Sequence, residues 1–308
     1  MADRRGRILV IFPGALGDLL CALPTIRTLA KRHPDASVEL MARAELARFA
    51  VGHLGVLHAH SIDRRETGLL FVPNADLIPA RGFFRNFNHI YSFFAADDAD
   101  FRAALVAVST GPVTFIPFRP PGDGHIAASY LQEVGVSNAT EHDARALSGI
   151  EVLPEDLYSA DDKLAAIGVP PRSFLLILPG SGSAAKNWPS ERFADLAALL
   201  APQLPPLIVI GPAEAALAPF FRDRALATVE HLELGTLAGL TRRARAFVGN
   251  DSGVSHLAAG AGTTGLALFG PTDPDRWRPL GHVEVLRHEP LSELTVDEVA
   301  ARILGLAR

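Results

Sequence analysis

Short uninterrupted apolar runs alternate with stretches of helical periodicity along most of this 308-residue chain. The first run, Ile8–Phe12, has the pattern of a strand buried on both faces of a parallel sheet. It leads through Pro13-Gly14-Ala15-Leu16-Gly17-Asp18 into an apolar helical stretch, Leu19–Lys31, where Pro24 marks a kink or a restart. Further strands are predicted at Val38–Met41, Val56–Ile62, His89–Phe94 and Val113–Pro117, with a helix over Ala44–Val51. Residues 64–88 and 118–125 are rich in Gly, Pro, Asn and Arg and read as long loops, which in a compact domain carry function or disorder.

After Ser148-Gly149 the alternation is cleaner. Strands are predicted at Phe174–Leu178, Pro206–Ile210, Ala246–Gly249 and Gly265–Phe269, with helices at Arg192–Leu200, Ala213–Arg224 and Gly253–Ala261. This is a second doubly wound α/β unit. Prolines 154, 170 and 171 place the boundary between residues 150 and 172, and we divide the chain into 1–155 and 156–308. An amphipathic terminal helix over Val296–Leu306 has the length to pack back on the first unit.

Composition narrows the partners. A net charge of −5 and a pI near 6.1 argue against a nucleic acid, which calls for a basic face. A single cysteine, Cys21, excludes an internal disulfide and suits a reducing compartment, so a cytoplasmic protein is expected. The basic start resembles a signal peptide, but its apolar run is cut short by Pro13-Gly14 and Asp18. No run of about 18 apolar residues is present, so contact with the inner membrane would be peripheral. Carboxylates and histidines do not cluster at metal-ligand spacing, and no metal or cofactor is expected.

Three loops follow strands and precede helices, the positions where parallel α/β sheets bind ligands. In the first, Asp18 stands at a helix entrance as an N-cap, a general base, or both. The second, Pro179-Gly180-Ser181-Gly182-Ser183-Ala184-Ala185-Lys186, has the small residues and hydroxyls of an anion nest. Lysines are scarce in this arginine-rich chain, which draws attention to Lys186, whose full positive charge can meet a diphosphate; the alternative is a solvated lysine on a surface turn. No Gly-Lys-Ser/Thr sequence occurs, so a P-loop is unsupported. In the third, Asn250-Asp251-Ser252-Gly253-Val254-Ser255-His256, Ser252 and the helix N-terminus suit a phosphate, and Asp251 suits sugar hydroxyls. His256 lies one turn on, as a ligand contact or a buried structural histidine, and Trp188-Pro189 reads as a packing anchor. Together the loops describe a nucleotide diphosphate on one side of a cleft and a reacting partner on the other.

With these residues assembled, the chain resembles glycosyltransferase family nine, the ADP-heptose:lipopolysaccharide heptosyltransferases. The resemblance rests on Gly17-Asp18-Leu19-Leu20 with Leu23-Pro24, Pro179-Gly180 with Lys186-Asn187-Trp188-Pro189, Asp251–Ala259, and Leu268–Pro274. It implies the GT-B fold, two Rossmann-like domains facing across a cleft, with residues 1–155 binding the acceptor and 156–308 the nucleotide sugar. It also implies an inverting, metal-independent transfer from an ADP-sugar to a lipopolysaccharide-type or other glycan acceptor, with Asp18 as the base. Gly17, Ser181, Gly182, Ser183, Lys186, Glu214, Asp251, Ser252, Gly253 and His256 would surround the donor, Glu214 at the ribose. The acceptor is expected near Arg64, Arg65, Arg81 and Arg85, whose guanidinium groups suit phosphates or carboxylates, or which form a solvated loop. The chain departs from the family at Pro13-Gly14-Ala15, at Cys21 and at Leu178, which bears on the sugar transferred and on the acceptor. The rivals are a GT-B sugar-nucleotide epimerase or hydrolase, and a nucleotide-sugar-binding protein without turnover.

Overall fold

The computed structural model describes residues 6–307, and the first five residues of the basic start lie outside the described residues. The chain forms two compact units, residues 1–147 and 148–308. The division falls before the proline cluster because Ser148 and Ile150 already bond within the second unit, Ser148 Oγ to the Leu280 carbonyl and Ile150 N–H to that of Gly260. Each unit carries a parallel sheet with helices, the α/β class of the GT-B fold.

In the first unit the elements run β1 (Gly6–Ile11), α1 (Leu16–Arg32), β2 (Ala36–Ala42), α2 (Ala44–His53), β3 (His58–Ser61), α3 (Arg65–Gly68), α4 (Ile78–Phe84), β4 (His89–Ser92), α5 (Ala99–Val108), β5 (Val113–Phe115), α6 (Ile126–Glu133) and α7 (Glu141–Arg145). The strand order is β3-β2-β1-β4-β5, and every pairing is parallel. Chain direction across the sheet reverses between β1 and β4, so the loop after β1 opens at a switch point. Helix α1 runs through Pro24 without a restart.

Residues 64–88 are not the long loop that their composition predicts. Helices α3 and α4 and a 3₁₀ turn, Leu69–Phe71, occupy most of that span. Leu70, Ala80, Phe84 and Phe87 are buried from this segment in a cluster with Leu9, Ile11 and Ile90 of the sheet. Burial of those widely spaced side chains outweighs the local turn propensity. Residues 118–125 are irregular, as expected, and the strand predicted over Val113–Pro117 ends at Phe115.

In the second unit the elements are α8 (Pro154–Ala166), β6 (Leu175–Leu178), α9 (Ser190–Leu200), β7 (Pro206–Ile210), α10 (Ala218–Arg222), β8 (Thr228–Glu230), α11 (Leu234–Arg243), β9 (Ala246–Asn250), α12 (Gly253–Gly260), β10 (Gly265–Phe269), α13 (Pro274–Trp277), β11 (Val283–Arg287) and α14 (Val296–Leu306). The order is β11-β10-β9-β6-β7-β8, again all parallel, with its switch point between β6 and β9. Helix α8 packs closely on α11, where a Cβ at Gly239 would lie 2.3 Å from the Asp156 carbonyl oxygen. The single helix predicted over Ala213–Arg224 is a 3₁₀ turn, Pro212–Leu217, followed by α10. Val299, Ala300 and Ile303 of α14 join the core formed by β6, β9, β10 and α9.

A charged group sits inside the first sheet. Glu39 of β2 is fully buried, with Arg7 Nε of β1 at 2.6 Å and His60 Nε2 of β3 at 2.7 Å. Burial alone would raise its carboxyl, but hydrogen bonds from His60 and Arg7 outweigh that and bring it down to about 2. A folded-state value below the ordinary 4.5 gives stability that is present above pH 4.5 and is lost as the pH falls from there toward 2. The linkage amounts to about 3 kcal/mol at most. Urea unfolding followed between pH 6 and pH 2 should therefore show Glu39→Gln less stable than wild type at pH 6 and the two converging in acid. Parallel curves would remove the triad as the source.

Candidate functional site

The loop after β1 is closed by a tight approach. A Cβ on Gly14 would lie 2.6 Å from both Asp18 Cβ and the Phe12 ring, so only glycine lets the chain turn back over the helix start. Ala15 is the N-cap of α1 and Asp18 is the third helical residue, which corrects the expectation of Asp18 as the cap itself. Ala15 has no side-chain acceptor, so half of a capping box remains: Asp18 Oδ2 accepts the Ala15 N–H at 3.1 Å. Asp18 Oδ1 accepts from Arg119 Nη2 at 3.0 Å. The carboxylate stays in place at a helix N-terminus that favours its charge. Gly17 adjoins it in the first turn, in the first unit, and Cys21 is buried one turn further on.

Arg119 carries no sequence signal, since 101 residues separate it from Asp18 and its segment has no periodic pattern. Its guanidinium lies 4.1 Å from the Phe118 ring centroid. Phe118 packs edge-on against Phe12, and the buried Tyr130 donates its hydroxyl to the Phe118 carbonyl at 2.8 Å. Burial pushes the Tyr130 phenol well up, so it stays a donor.

In the second unit the two remaining loops meet at the switch point. Asn250 is fully buried; it accepts the Trp188 N–H at 3.0 Å and donates to the Pro179 carbonyl at 2.7 Å and to Asn187 Oδ1 at 3.3 Å. Trp188 is the expected packing anchor: its indole donates to the Leu294 carbonyl at 3.0 Å, and its ring meets Phe193 edge-on. With the loops tied this way, Lys186 Nζ reaches Asp251 Oδ2 at 2.7 Å. The Asp251 side chain is 7% exposed and that of Lys186 34%, so the acid is buried and the lysine is partly open to solvent. Two of the three ammonium donors remain for another acceptor. Asp251, expected at sugar hydroxyls, is thus ion-paired with the residue expected at the phosphates.

Ser252 is the N-cap of α12, its Oγ 3.4 Å from the Ser255 N–H, and Gly253 is the first helical residue. Ser255 Oγ bonds the Asn250 carbonyl at 2.7 Å, which locks the turn. His256 is buried, 8% exposed, on the first turn of α12. Ser181 folds onto its own loop, donating to the Ser183 carbonyl at 2.7 Å while accepting the Ser183 N–H. A Cβ on Gly182 would meet nothing, whereas one on Gly180 would lie 2.3 Å from Glu214 Cδ. Gly180 leaves room for the Glu214 side chain, which lies over it, and burial raises the Glu214 carboxyl. The loop after β10 adjoins the second loop, a Cβ at Gly270 lying 3.5 Å from the Ala185 carbonyl.

The four arginines of the first unit separate. Arg64 lies 3.6 Å over the Phe83 ring and pairs with Glu66 at 2.9 Å, whereas Arg65, Arg81 and Arg85 are exposed. Among the described residues no group of three or more His, Cys, Asp or Glu side chains is placed to hold a metal ion.

Residues 136–294, just over half the chain, match the sequence profile of glycosyltransferase family 9 (heptosyltransferase). Lipopolysaccharide heptosyltransferase 2 of Escherichia coli strain K12 is 26% identical, with 90% of this chain and 86% of that protein covered. A family 9 glycosyltransferase structure from Veillonella parvula superposes with a TM-score of 0.78 at 21% identity, covering 100% of this chain and 98% of that one. The E. coli ADP-heptose lipopolysaccharide heptosyltransferase II structure gives 0.74 at 20% identity, covering 98% of each.

The ion pair makes a prediction about stability. Lys186→Met leaves the buried Asp251 carboxylate without its cation and should cost about 1–3 kcal/mol in denaturant unfolding. Adding Asp251→Asn should recover most of that loss. A double variant no more stable than the single one would show that the pair does not hold the loops.

Proposed function

The chain belongs to glycosyltransferase family 9, and from that premise we propose that it moves heptose from ADP-heptose to a hydroxyl of a lipopolysaccharide-type acceptor, inverting the anomeric carbon without a metal ion. The Lys186–Asp251 pair beside the N-terminus of α12 carries this reading. An unpaired buried carboxylate would repel a diphosphate; neutralised by Lys186, it leaves the remaining ammonium donors and the helix N-terminus to attract one. Ser181, Gly182, Ser183, Ser252, Gly253 and His256 belong to the same loops, and Glu214, over Gly180, suits the ribose hydroxyls.

In the reaction the acceptor oxygen forms a bond to the anomeric carbon as the bond from that carbon to the diphosphate oxygen breaks. The hydroxyl proton passes to Asp18, and ADP leaves with the charge that Lys186 and the helix N-terminus offset. Arg65, Arg81 and Arg85, exposed in the first unit, suit anionic groups of the acceptor. A nucleotide-sugar donor places the work in the cytoplasm, and a glycolipid acceptor would bring the protein to the inner membrane as a peripheral contact.

Calorimetry with ADP-, UDP- and GDP-sugars, followed by product analysis with and without acceptor, tests the reading: ADP-heptose should bind tightest and be consumed only when acceptor is present. Turnover of donor alone would favour an epimerase or hydrolase. Asp18→Asn should lower kcat about 100-fold or more while donor affinity stays within a few fold. Transfer should persist in excess EDTA, because a protein cation rather than a bound metal meets the diphosphate. Complete loss reversed by magnesium would overturn that part.

A further inference from the structure

We propose that Arg119 is the positioning residue of the Asp18 carboxylate, turning it to receive the acceptor proton; the inference rests on the reading of Asp18 as base. A carboxylate offers about four lone-pair sites, and its terminal torsion is broad, so an untethered aspartate presents them in many directions. Here the two oxygens are held separately, Oδ2 by the Ala15 N–H at 3.1 Å and Oδ1 by Arg119 Nη2 at 3.0 Å. Two contacts on opposite oxygens fix the carboxylate plane and leave one lone pair on each oxygen.

Arg119 can do this because it is itself held. It belongs to the irregular segment 116–125, where no helix or strand fixes its backbone. Its guanidinium stacks on Phe118, Phe118 meets the fully buried Phe12 edge-on at 5.6 Å, and Tyr130 hydrogen-bonds the Phe118 carbonyl. Phe12 adjoins β1 and precedes the loop that carries Asp18, so one aromatic contact references both partners to the same strand. The Arg119 side chain is 49% exposed and that of Asp18 18%, and an ion pair so open to solvent contributes little to folding. Its consequence is geometric, and misplacement of a reacting group by about 1 Å can cost 100-fold in rate.

The test is a double-variant cycle on the full chain with ADP-heptose and acceptor. Arg119→Ala should lower kcat about 10- to 100-fold, leave the donor KM within about threefold and leave the thermal midpoint nearly unchanged. Arg119→Lys keeps the charge but loses the planar fork and its stacking, and should recover only part of the rate. In an Asp18→Asn background, Arg119→Ala should cost nothing more, because the carboxylate it orients is gone. Equal losses in both backgrounds, or a rise in acceptor KM with kcat unchanged, would place Arg119 on the substrate and overturn the proposal. A slow Asp18→Asn with a fully active Arg119→Ala would overturn this inference alone. A fully active Asp18→Asn would overturn the base assignment with it.

Discussion

Asn250 is fully buried at the carboxyl end of β9, where an unsatisfied amide would cost about 1–3 kcal/mol. Its oxygen and its NH₂ group all find partners in the loop after β6: the Trp188 N–H, the Pro179 carbonyl and Asn187. That requirement joins two loops more than sixty residues apart into one body. Lys186, two residues before Trp188, is thereby delivered to Asp251, the residue after Asn250. The rest of the second unit's site follows from this tie, with Trp188 fastened beneath it to the Leu294 carbonyl.

The two ion pairs at candidate chemistry differ in kind. Lys186–Asp251 buries the acid and leaves the lysine about one-third exposed. Asp18–Arg119 leaves both partners more open, and the acid retains lone pairs that a hydroxyl proton can reach. In the proposed reaction the first arrangement would serve charge that develops on a leaving group, the second the proton of the acceptor hydroxyl. Each unit of the chain carries one of these two ion pairs.

Local composition misled where burial decided the outcome. Residues 64–88 look like a loop because they are rich in Gly, Pro, Asn and Arg, yet Leu70, Ala80, Phe84 and Phe87 pack into the core of the first unit, and most of the segment is helical. The same segment puts Arg64 on Phe83 and Glu66 rather than in solvent. The loop at Gly180 reads in the sequence as an anion nest of small residues, and the neighbour that Gly180 admits is the Glu214 side chain of a separate strand-to-helix connection. Asp18 was legible as a helix-start carboxylate, whereas its place as third residue depends on where Ala15 begins the helix.

The sequence by itself determined the two α/β units, because apolar runs such as Ile8–Ile11 and Leu175–Leu178 have nowhere to go but the middle of a parallel sheet. It also determined which loops matter, since Gly-containing connections between strand and helix fall at the carboxyl ends of strands whatever the order in the sheet. Only the tertiary structure decided which side chains those loops share. Strand order brings Leu178 beside Gly249, so Lys186 meets Asp251 rather than solvent, and segment 116–125 folds back to set Arg119 on Asp18. Pairings across tens of residues leave no period in the sequence, because they depend on which buried groups must be satisfied together and not on the spacing of residues along one element.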